Sequence, residues 1–389
     1  MNIGIFNNIK SDFSYILVGL LLLFMSKPYF VWFNPYMAFC TIFFVLWGCF
    51  SLFHRKLNLK ELLFVIAYVI LSYVNSLIGN LNTYGLISSL IFPLMIFIPA
   101  SKRIRMLFNF TKIYAVLIFL SLIVFFLVYI FNFNIPSGNI ESLNVLKDYT
   151  YKIYPLLSMP DARFLILPRF PAFFDEPGVV GTISLLLLIT FGKDLNKFYY
   201  VSILLSGIFS FSLYFYVTYI FYLFTIIDAK RIILSLVLFL LLLFVFPPFQ
   251  GYFDSYIKDR LEIKSDGSFE GDNRTSKAFD SEYNNFLSSS LLFYGKGDSF
   301  ISSGACSYKT IIYSRGLVFF ISIFSLYFLY AFFKLRKIRS LYLFFLIFLG
   351  ITYQRPFYFD PFYFFILLTI VDYFQLKDNL KFTNYVSDN

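Results

Sequence analysis

Long apolar runs separated by short polar segments make up most of the chain. A helix crosses a bilayer with roughly 20 apolar residues, whereas barrel strands alternate polar and apolar positions over short segments. The continuous runs therefore predict membrane-spanning helices. We predict helices at residues 13–26, 36–53, 61–78, 84–99, 111–131, 177–191, 232–246, 310–333, 340–352 and 357–373.

One apolar stretch, residues 198–227, is too long for one crossing and short for two. Lysines precede it at Lys193 and Lys197, and Lys230 and Arg231 follow it. Because basic residues concentrate on the cytoplasmic side, both flanks belong on that side and the number of crossings is even. We predict two short helices joined by a tight turn at residues 210–212.

With these two, the pattern predicts an all-α polytopic membrane protein of about twelve helices, a single transmembrane domain covering residues 1–389. If both termini are cytoplasmic, that side holds 18 of the 32 basic residues but only 7 of the 22 acidic ones. This asymmetry favours the orientation and predicts two large extracytoplasmic loops, at about 132–176 and 249–309.

Composition agrees with a membrane location. The chain is 59% hydrophobic and 14% charged, with a mean hydropathy of +0.75, which excludes an ordinary soluble domain. The net charge of +10 follows the predicted topology, so membrane lipids rather than nucleic acid are the expected partner. Three cysteines and a single histidine, His54, predict no disulfide framework, no metal site and no cofactor.

Ionisable residues are scarce within the predicted helices. Glu61, Asp228 and Asp372 are predicted at cytoplasmic helix ends. Ion-coupled transporters usually need ionisable or unwound polar sites near the midplane, so this pattern disfavours that class.

The most informative polar stretch is residues 163–181, where Arg163, Arg169, Asp175 and Glu176 precede a helix that starts Pro177-Gly178. Arginines beside a helix start favour a pyrophosphate-binding site. The alternative is an ordinary helix cap, because an acidic residue before proline at the first helical position is common.

Two further outer segments contain candidate ligand-binding residues. Gly295 and Gly297 flank Lys296, and Lys309 and Arg315 follow at the start of the next predicted helix. Arg315 lies inside an apolar run, where a solvated arginine is costly. In the third segment, a predicted outer turn, Gln354 and Arg355 precede Pro356, and Arg355 either binds substrate or reaches the lipid headgroups. The acidic and polar residues 254–282 predict a solvated face or a mobile lid.

Together these features resemble the bacterial O-antigen and capsule polysaccharide polymerases of the Wzy type and the related O-antigen ligases. The resemblance rests on about twelve helices, two outer loops, the segment from Arg169 to Gly178, the segment from Gly295 to Gly316, and Arg355. It also implies a membrane fold similar to that of GT-C-type glycosyltransferases.

The resemblance implies a metal-independent glycosyltransferase at the outer face of the bacterial cytoplasmic membrane. Its substrates would be oligosaccharide repeats linked to undecaprenyl diphosphate, and its partners a chain-length regulator and a flippase. Arg169, Arg315 and Arg355 would hold the diphosphate, with Arg163, Gly295, Gly297, Lys309 and Gln354 nearby. Glu176 or Asp175 would take the proton of the attacking hydroxyl.

Two alternatives stay open at this point. Ligases of this group typically carry a histidine in the late outer loop, and residues 305–309 contain none, which favours a polymerase over a ligase. A flippase or exporter for lipid-linked saccharides is the alternative from another class. It would need a cationic cavity at mid-membrane.

Overall fold

The computed structural model describes residues 13–54, 58–78, 90–141, 150–161, 168–225, 277–297, 307–354 and 358–387, together with the single residues 233, 237 and 251. This part of the chain is mostly helical. Three of its helices are long and apolar enough to cross a membrane, Leu59–Ile78, Ala100–Tyr129 and Tyr308–Lys334.

The α-helices are α1 Phe13–Met25, α2 Tyr36–Leu52, α3 Leu59–Ile78, α4 Ala100–Tyr129, α5 Pro177–Phe191, α6 Lys197–Phe209, α7 Leu213–Thr225, α8 Lys277–Leu287, α9 Tyr308–Lys334, α10 Ile338–Gln354 and α11 Pro361–Ser387. Short 3₁₀ helices lie at Tyr29–Val31, Phe92–Phe97 and Ser290–Phe293.

Several predicted boundaries are confirmed. The helix α5 has the predicted bounds, and the long apolar stretch divides at residues 210–212 into α6 and α7. Of the predicted helix at 84–99, residues 92–97 form a 3₁₀ helix that contains Pro93, which has no N–H to donate. The predicted helix at 232–246 lies almost entirely outside the described residues.

Two helices extend beyond their predicted ends. The α4 helix begins at Ala100 and includes Lys102, Arg103 and Arg105, which we had predicted in a cytoplasmic loop. Lysine and arginine are good helix formers, so a basic cluster does not by itself end a helix. For the same reason α11 continues past Lys377 to Ser387.

The chain forms two compact units. Unit 1 comprises Met1–Asp12, Lys27–Phe33 and Thr111–Asn273, and unit 2 comprises Phe13–Ser26, Asn34–Phe110 and Arg274–Asn389. The single transmembrane domain stays a prediction.

Unit 1 contains a small antiparallel sheet within the first predicted outer loop. Its strands are β1 Gly138–Glu141, β2 Thr150–Tyr154 and β3 Leu157–Pro160, in the order β1-β2-β3. Tyr154 pairs with Leu157 across a two-residue turn in which Leu156 has φ of 57°. The all-α prediction missed this sheet, because prolines at the strand ends indicated only loop.

The core of unit 1 is α5, which is buried on all sides from Gly178 to Phe191. A Cβ on Gly181 would lie 2.8 Å from Ser210 Oγ, so α5 lies directly against the turn between α6 and α7. A polar chain crosses the same helix, since Tyr114 Oη lies 3.0 Å from Ser184 Oγ, which lies 2.8 Å from Ser206 Oγ.

In unit 2, α3 has two different faces. Its exposed apolar residues are Leu59, Leu63, Ile66, Ile70, Tyr73 and Leu77. Spacings of three and four residues put them on one side of a helix, which is the pattern of a helix that faces lipid. The opposite face packs against α9, with Glu61 near Lys334 and Asn75 near Arg315, so the two helices are antiparallel.

A buried ion cluster joins four helices of unit 2. Arg103 of α4 pairs with Asp372 of α11, and Lys334 of α9 lies 2.8 Å from Asp372 and 3.3 Å from Glu61 of α3. Arg103 is fully buried and also donates to the carbonyls of Met95 and Ile96. We had placed Arg103 and Lys334 in cytoplasmic loops. Both lie in helices, and Asp372 pairs with both of them within the bundle.

The α11 helix begins at Pro361, four residues after the predicted start at residue 357. The Tyr358 carbonyl accepts hydrogen bonds from the hydroxyls of Tyr68 and Tyr327, and Tyr68 lies midway between Glu61 and Asn75 along α3. Asp360 then caps α11, accepting from the N–H of Phe362 at 3.0 Å. The α11 helix therefore begins beside the middle of α3 rather than at its end.

Candidate functional site

Two glycines bring a loop and a helix of unit 2 into direct backbone contact. Gly295 has φ of 81° and Gly316 has φ of 84°, the left-handed region that favours glycine. A Cβ on Gly295 would lie 2.6 Å from Arg315 N, and a Cβ on Gly316 would lie 2.6 Å from Tyr294 N. Neither position has room for a side chain.

This contact interrupts α9. Gly316 has ψ of 165° and is not helical, and the carbonyls of Tyr313 and Ser314 accept hydrogen bonds from Lys296 N at 2.8 Å and Gly297 N at 3.0 Å. The helix resumes after Gly316. A helix that restarts there presents N-terminal N–H groups, the positive end of its dipole, beside Arg315.

Arg315 is held in place at this break. It is 9% exposed, and its Nε donates a 2.7 Å hydrogen bond to the side-chain oxygen of Asn75 near the end of α3. An amide oxygen orients a guanidinium without contributing a negative charge. The local geometry suits an anion such as a phosphate, which arginine binds through paired N–H donors.

The helix α8 completes this part of the site. Phe279, Tyr283 and Phe286 pack against Ile312 and Tyr313 of α9. Burial raises the pKa of Tyr283 to about 12, so its hydroxyl stays protonated at physiological pH. We had predicted a solvated face or lid through residue 282. Its described end, residues 277–282, is part of a helix that packs through Phe279 and leaves Ala278 and Ser281 exposed.

Charged residues of α8 pair with the two lysines of this site. Lys309 Nζ lies 2.8 Å from Asp280, and Lys296 Nζ lies 3.6 Å from Glu282 and 3.4 Å from Tyr313 Oη. Lys309 was predicted to bind substrate, and its contact with Asp280 gives it a structural partner. Lys296 lies closer to the glycine contact, and the sequence analysis had not counted it as a site residue.

In unit 1, Arg169 lies against the turn between α6 and α7. Its Nε donates a 3.0 Å hydrogen bond to the carbonyl of Ser210, and Phe170 N donates to the carbonyl of Phe209 at 2.9 Å. Ser210 also contacts Gly181, in the second turn of α5. The turn therefore holds Arg169 close to the start of α5.

Glu176 occupies the N-cap position of α5, with φ of −146° and ψ of 141°, and Pro177 follows at the first helical position. Its side chain makes no capping hydrogen bond to the helix. The sequence left open whether the Glu176 carboxylate only caps the helix. Glu176 is at the N-cap position, but its carboxylate does not accept a hydrogen bond from the first turn of α5.

The sheet fixes the backbone that leads to Glu176. Tyr151 of β2 donates from its hydroxyl to the Asp175 carbonyl at 2.8 Å, and Ser158 of β3 donates to the Phe174 carbonyl at 2.5 Å. Ala172, which accepts from Ser158 N at 2.7 Å, has φ of 50°, an unfavourable conformation for alanine. Such strain persists only where surrounding contacts impose it.

The predicted site residues thus fall into two groups. Arg169, Asp175 and Glu176 lie in unit 1, whereas Gly295, Gly297, Lys309 and Arg315 lie in unit 2. Arg163 and Arg355 lie outside the described residues. Gln354 is the last residue of α10, and its side chain is not described. That the two groups act together stays a prediction.

Three residues of this region were not predicted from the sequence: Asn75, Glu282 and Lys296. Asn75 lies among Ser72 and Ser76 on α3, so its polar neighbours were a usable signal. Glu282 had no such signal, because nothing in its local sequence distinguishes it from the other acidic residues of the predicted loop. No family model, curated protein or solved structure matches this chain.

Proposed function

We propose that the chain is a polysaccharide polymerase of the bacterial cytoplasmic membrane, with about twelve crossings and both termini in the cytoplasm. It joins oligosaccharide repeats carried on undecaprenyl diphosphate at the outer face of the membrane. A chain-length regulator and a flippase are its expected partners.

The observation that carries this proposal is Arg315 at the break in α9. A buried guanidinium oriented by a neutral amide, next to the N-terminus of the resumed helix, is a suitable site for a diphosphate. Lys296 lies on the loop that makes the glycine contact, where it pairs with Glu282 at 3.6 Å. Binding there stabilises the negative charge that develops as the lipid diphosphate leaves the sugar.

The α3 and α9 pair supports the membrane geometry. Glu61 and Asn75 are 14 positions apart, about 21 Å along a helix, and Arg315 and Lys334 are 19 apart, about 28 Å. The polar contacts at the two ends of the pair are thus about 21–28 Å apart, which is shorter than the roughly 30 Å of a bilayer's hydrocarbon core but most of that thickness. The positive-inside orientation puts the ion cluster inside and Arg315 outside.

Glu176 is the proposed general base, with Asp175 as the alternative. The acceptor hydroxyl, at the non-reducing end of an incoming lipid-linked repeat, attacks the first carbon of the growing glycan. Undecaprenyl diphosphate leaves, and the carboxylate takes the hydroxyl proton. Arg169, held by Ser210 near the start of α5, is the proposed source of positive charge in unit 1.

The decisive experiment is the surface-glycan ladder of a strain that lacks the protein. A polymerase predicts product with a single repeat. Long polymer that is not attached to its acceptor would indicate a ligase, and repeats retained inside the cell would indicate a flippase. Either of the last two results overturns the proposal.

Site variants test the residue assignments. Arg169→Ala and Glu176→Gln should each restore normal amounts of protein to the deletion strain but only single-repeat product. If both variants give wild-type chain lengths, the two residues are not catalytic.

A further inference from the structure

Four apolar side chains are exposed in unit 2, at the end of α8 and on the segment that follows it. Leu287 and Leu291 are each 43% exposed, Phe293 is 51% exposed and Tyr294 is 75% exposed. We call these four residues the apolar patch. Nothing in the proposed glycosyl transfer uses them.

The segment that carries the patch is packed against α9. The apolar face of α8 packs onto α9 through Phe279, Tyr283 and Phe286. The acids Asp280 and Glu282 pair with Lys309 and Lys296. These contacts hold the segment against α9, and the four residues of the patch stay exposed beside it.

The depth of the patch follows from the glycine contact. Gly316 touches the backbone of Phe293 and Tyr294, and it lies eight positions into α9, about 12 Å along the helix from Tyr308. The next outward-facing residues of α9 are Val318 and Ile321, each 53% exposed. The patch thus continues the apolar surface of a helix that is long enough to cross a membrane.

We propose that the apolar patch inserts into the acyl-chain region of the bilayer beside α9, and that residues 277–297 are an interfacial anchor. Exposed apolar residues on a segment whose charges are paired are suited to the boundary between headgroups and acyl chains. The proposal rests on α9 crossing the membrane and does not depend on any transfer reaction. Its effect is to hold Lys296 and Arg315 at the height of lipid-linked phosphates.

Tryptophan quenching in vesicles tests this directly. The full-length Phe293→Trp protein is reconstituted in phosphatidylcholine vesicles, with and without lipid brominated near the headgroup end of its acyl chains. The signal of the parent protein, which contains Trp32 and Trp47, is subtracted. The matched control is Asn285→Trp, at an exposed position on the polar face of α8.

We expect the emission of Trp at position 293 to be blue-shifted and quenched at least about twofold more by brominated lipid than by aqueous acrylamide. Trp at position 285 should show the reverse order. Quenching at position 293 by acrylamide alone would mean that the patch is in water. Quenching by neither agent would mean that protein covers it, such as a second copy of the chain. Both results overturn the proposal.

Discussion

Asn75 and Arg315 are joined by a 2.7 Å hydrogen bond although 240 positions separate them in sequence. The uncharged amide oxygen of Asn75 accepts this bond and so orients the guanidinium. A carboxylate at the same position would compete with a phosphate for the N–H donors of Arg315. An oriented cation at a broken helix is the feature from which the proposed diphosphate site is built.

Asn75→Ala should therefore lower polymerisation while leaving the protein folded. Hydrogen bonds to charged groups contribute roughly 1.5–3 kcal/mol, so a loss of at least roughly tenfold in rate is expected. The measurement is polymer formation by purified protein from lipid-linked repeats. The control is Ser76→Ala, on the same helix, whose hydroxyl bonds only within α3 to the Ser72 carbonyl in the described contacts. Equal rates for the two variants would remove Asn75 from the site.

Arg169→Lys tests whether the positive charge of Arg169 is sufficient or whether its planar guanidinium is also needed. Lysine keeps the positive charge but cannot donate to Ser210 and present a planar pair of donors at the same time. We expect the rate to fall roughly 10-fold to 100-fold, which is less than the roughly 100-fold to 1,000-fold seen when one charge-stabilising donor is lost, because lysine keeps the charge. The same polymerisation assay measures it, and full activity in Arg169→Lys would show that only charge matters at this position.

Local sequence patterns were sufficient for some elements. Lysines on both flanks of the apolar stretch 198–227 predicted an even number of crossings. From this we predicted two helices with a turn at residues 210–212, and α6 and α7 are divided there. Asp175, Glu176 and Pro177 marked the start of α5. In each case the deciding signal lies within a few residues of the feature it predicts.

Other features depend on contacts that local patterns do not contain. Glu61 and Lys334 are 273 positions apart, so nothing near either residue indicates that their charges meet inside the bundle. The start of α11 beside the middle of α3 depends likewise on Tyr68 reaching the Tyr358 carbonyl. The small sheet was hidden because its hairpin turn requires positive φ at Leu156, where glycine or asparagine would have been the usual signal.

Tyr151→Phe tests whether the sheet positions Asp175 and Glu176. The variant removes one buried hydroxyl bond, to the Asp175 carbonyl, and should cost about 1 kcal/mol of stability. We expect a polymerisation rate several-fold lower at saturating substrate. Thr150→Val, at an exposed position of the same strand, is the control and should leave the rate unchanged. A Tyr151→Phe enzyme with full activity would show that the sheet has no part in positioning the carboxylates.

Asp372→Asn should be the most destabilising of these changes. It leaves Arg103 and Lys334 buried with one fewer acid, and breaking a buried pair costs about 3–5 kcal/mol. Thermal unfolding of the detergent-solubilised protein measures this. Lys334→Met in the Asp372→Asn background removes one of the two cations and should recover part of the loss.

The control for that cluster is Asp161→Asn, which breaks a solvent-exposed pair with Lys152. Exposed pairs are screened by water and salt, so no measurable change in unfolding temperature is expected. If Asp372→Asn unfolds at the same temperature as Asp161→Asn, the buried cluster does not hold the four helices together.

Gly316→Ala tests the break in α9. Alanine is strained at φ of 84°, and its Cβ would overlap the backbone of Phe293 and Tyr294. The strain alone costs about 1–3 kcal/mol, and relief requires the loop at Gly295 to move away from Arg315. We expect lower thermal stability together with loss of polymer in the purified assay. The matched change is Gly138→Ala, where a Cβ would have no neighbour within 4 Å. If Gly316→Ala is as stable and as active as Gly138→Ala, then α9 tolerates a continuous helix and Arg315 does not need the break.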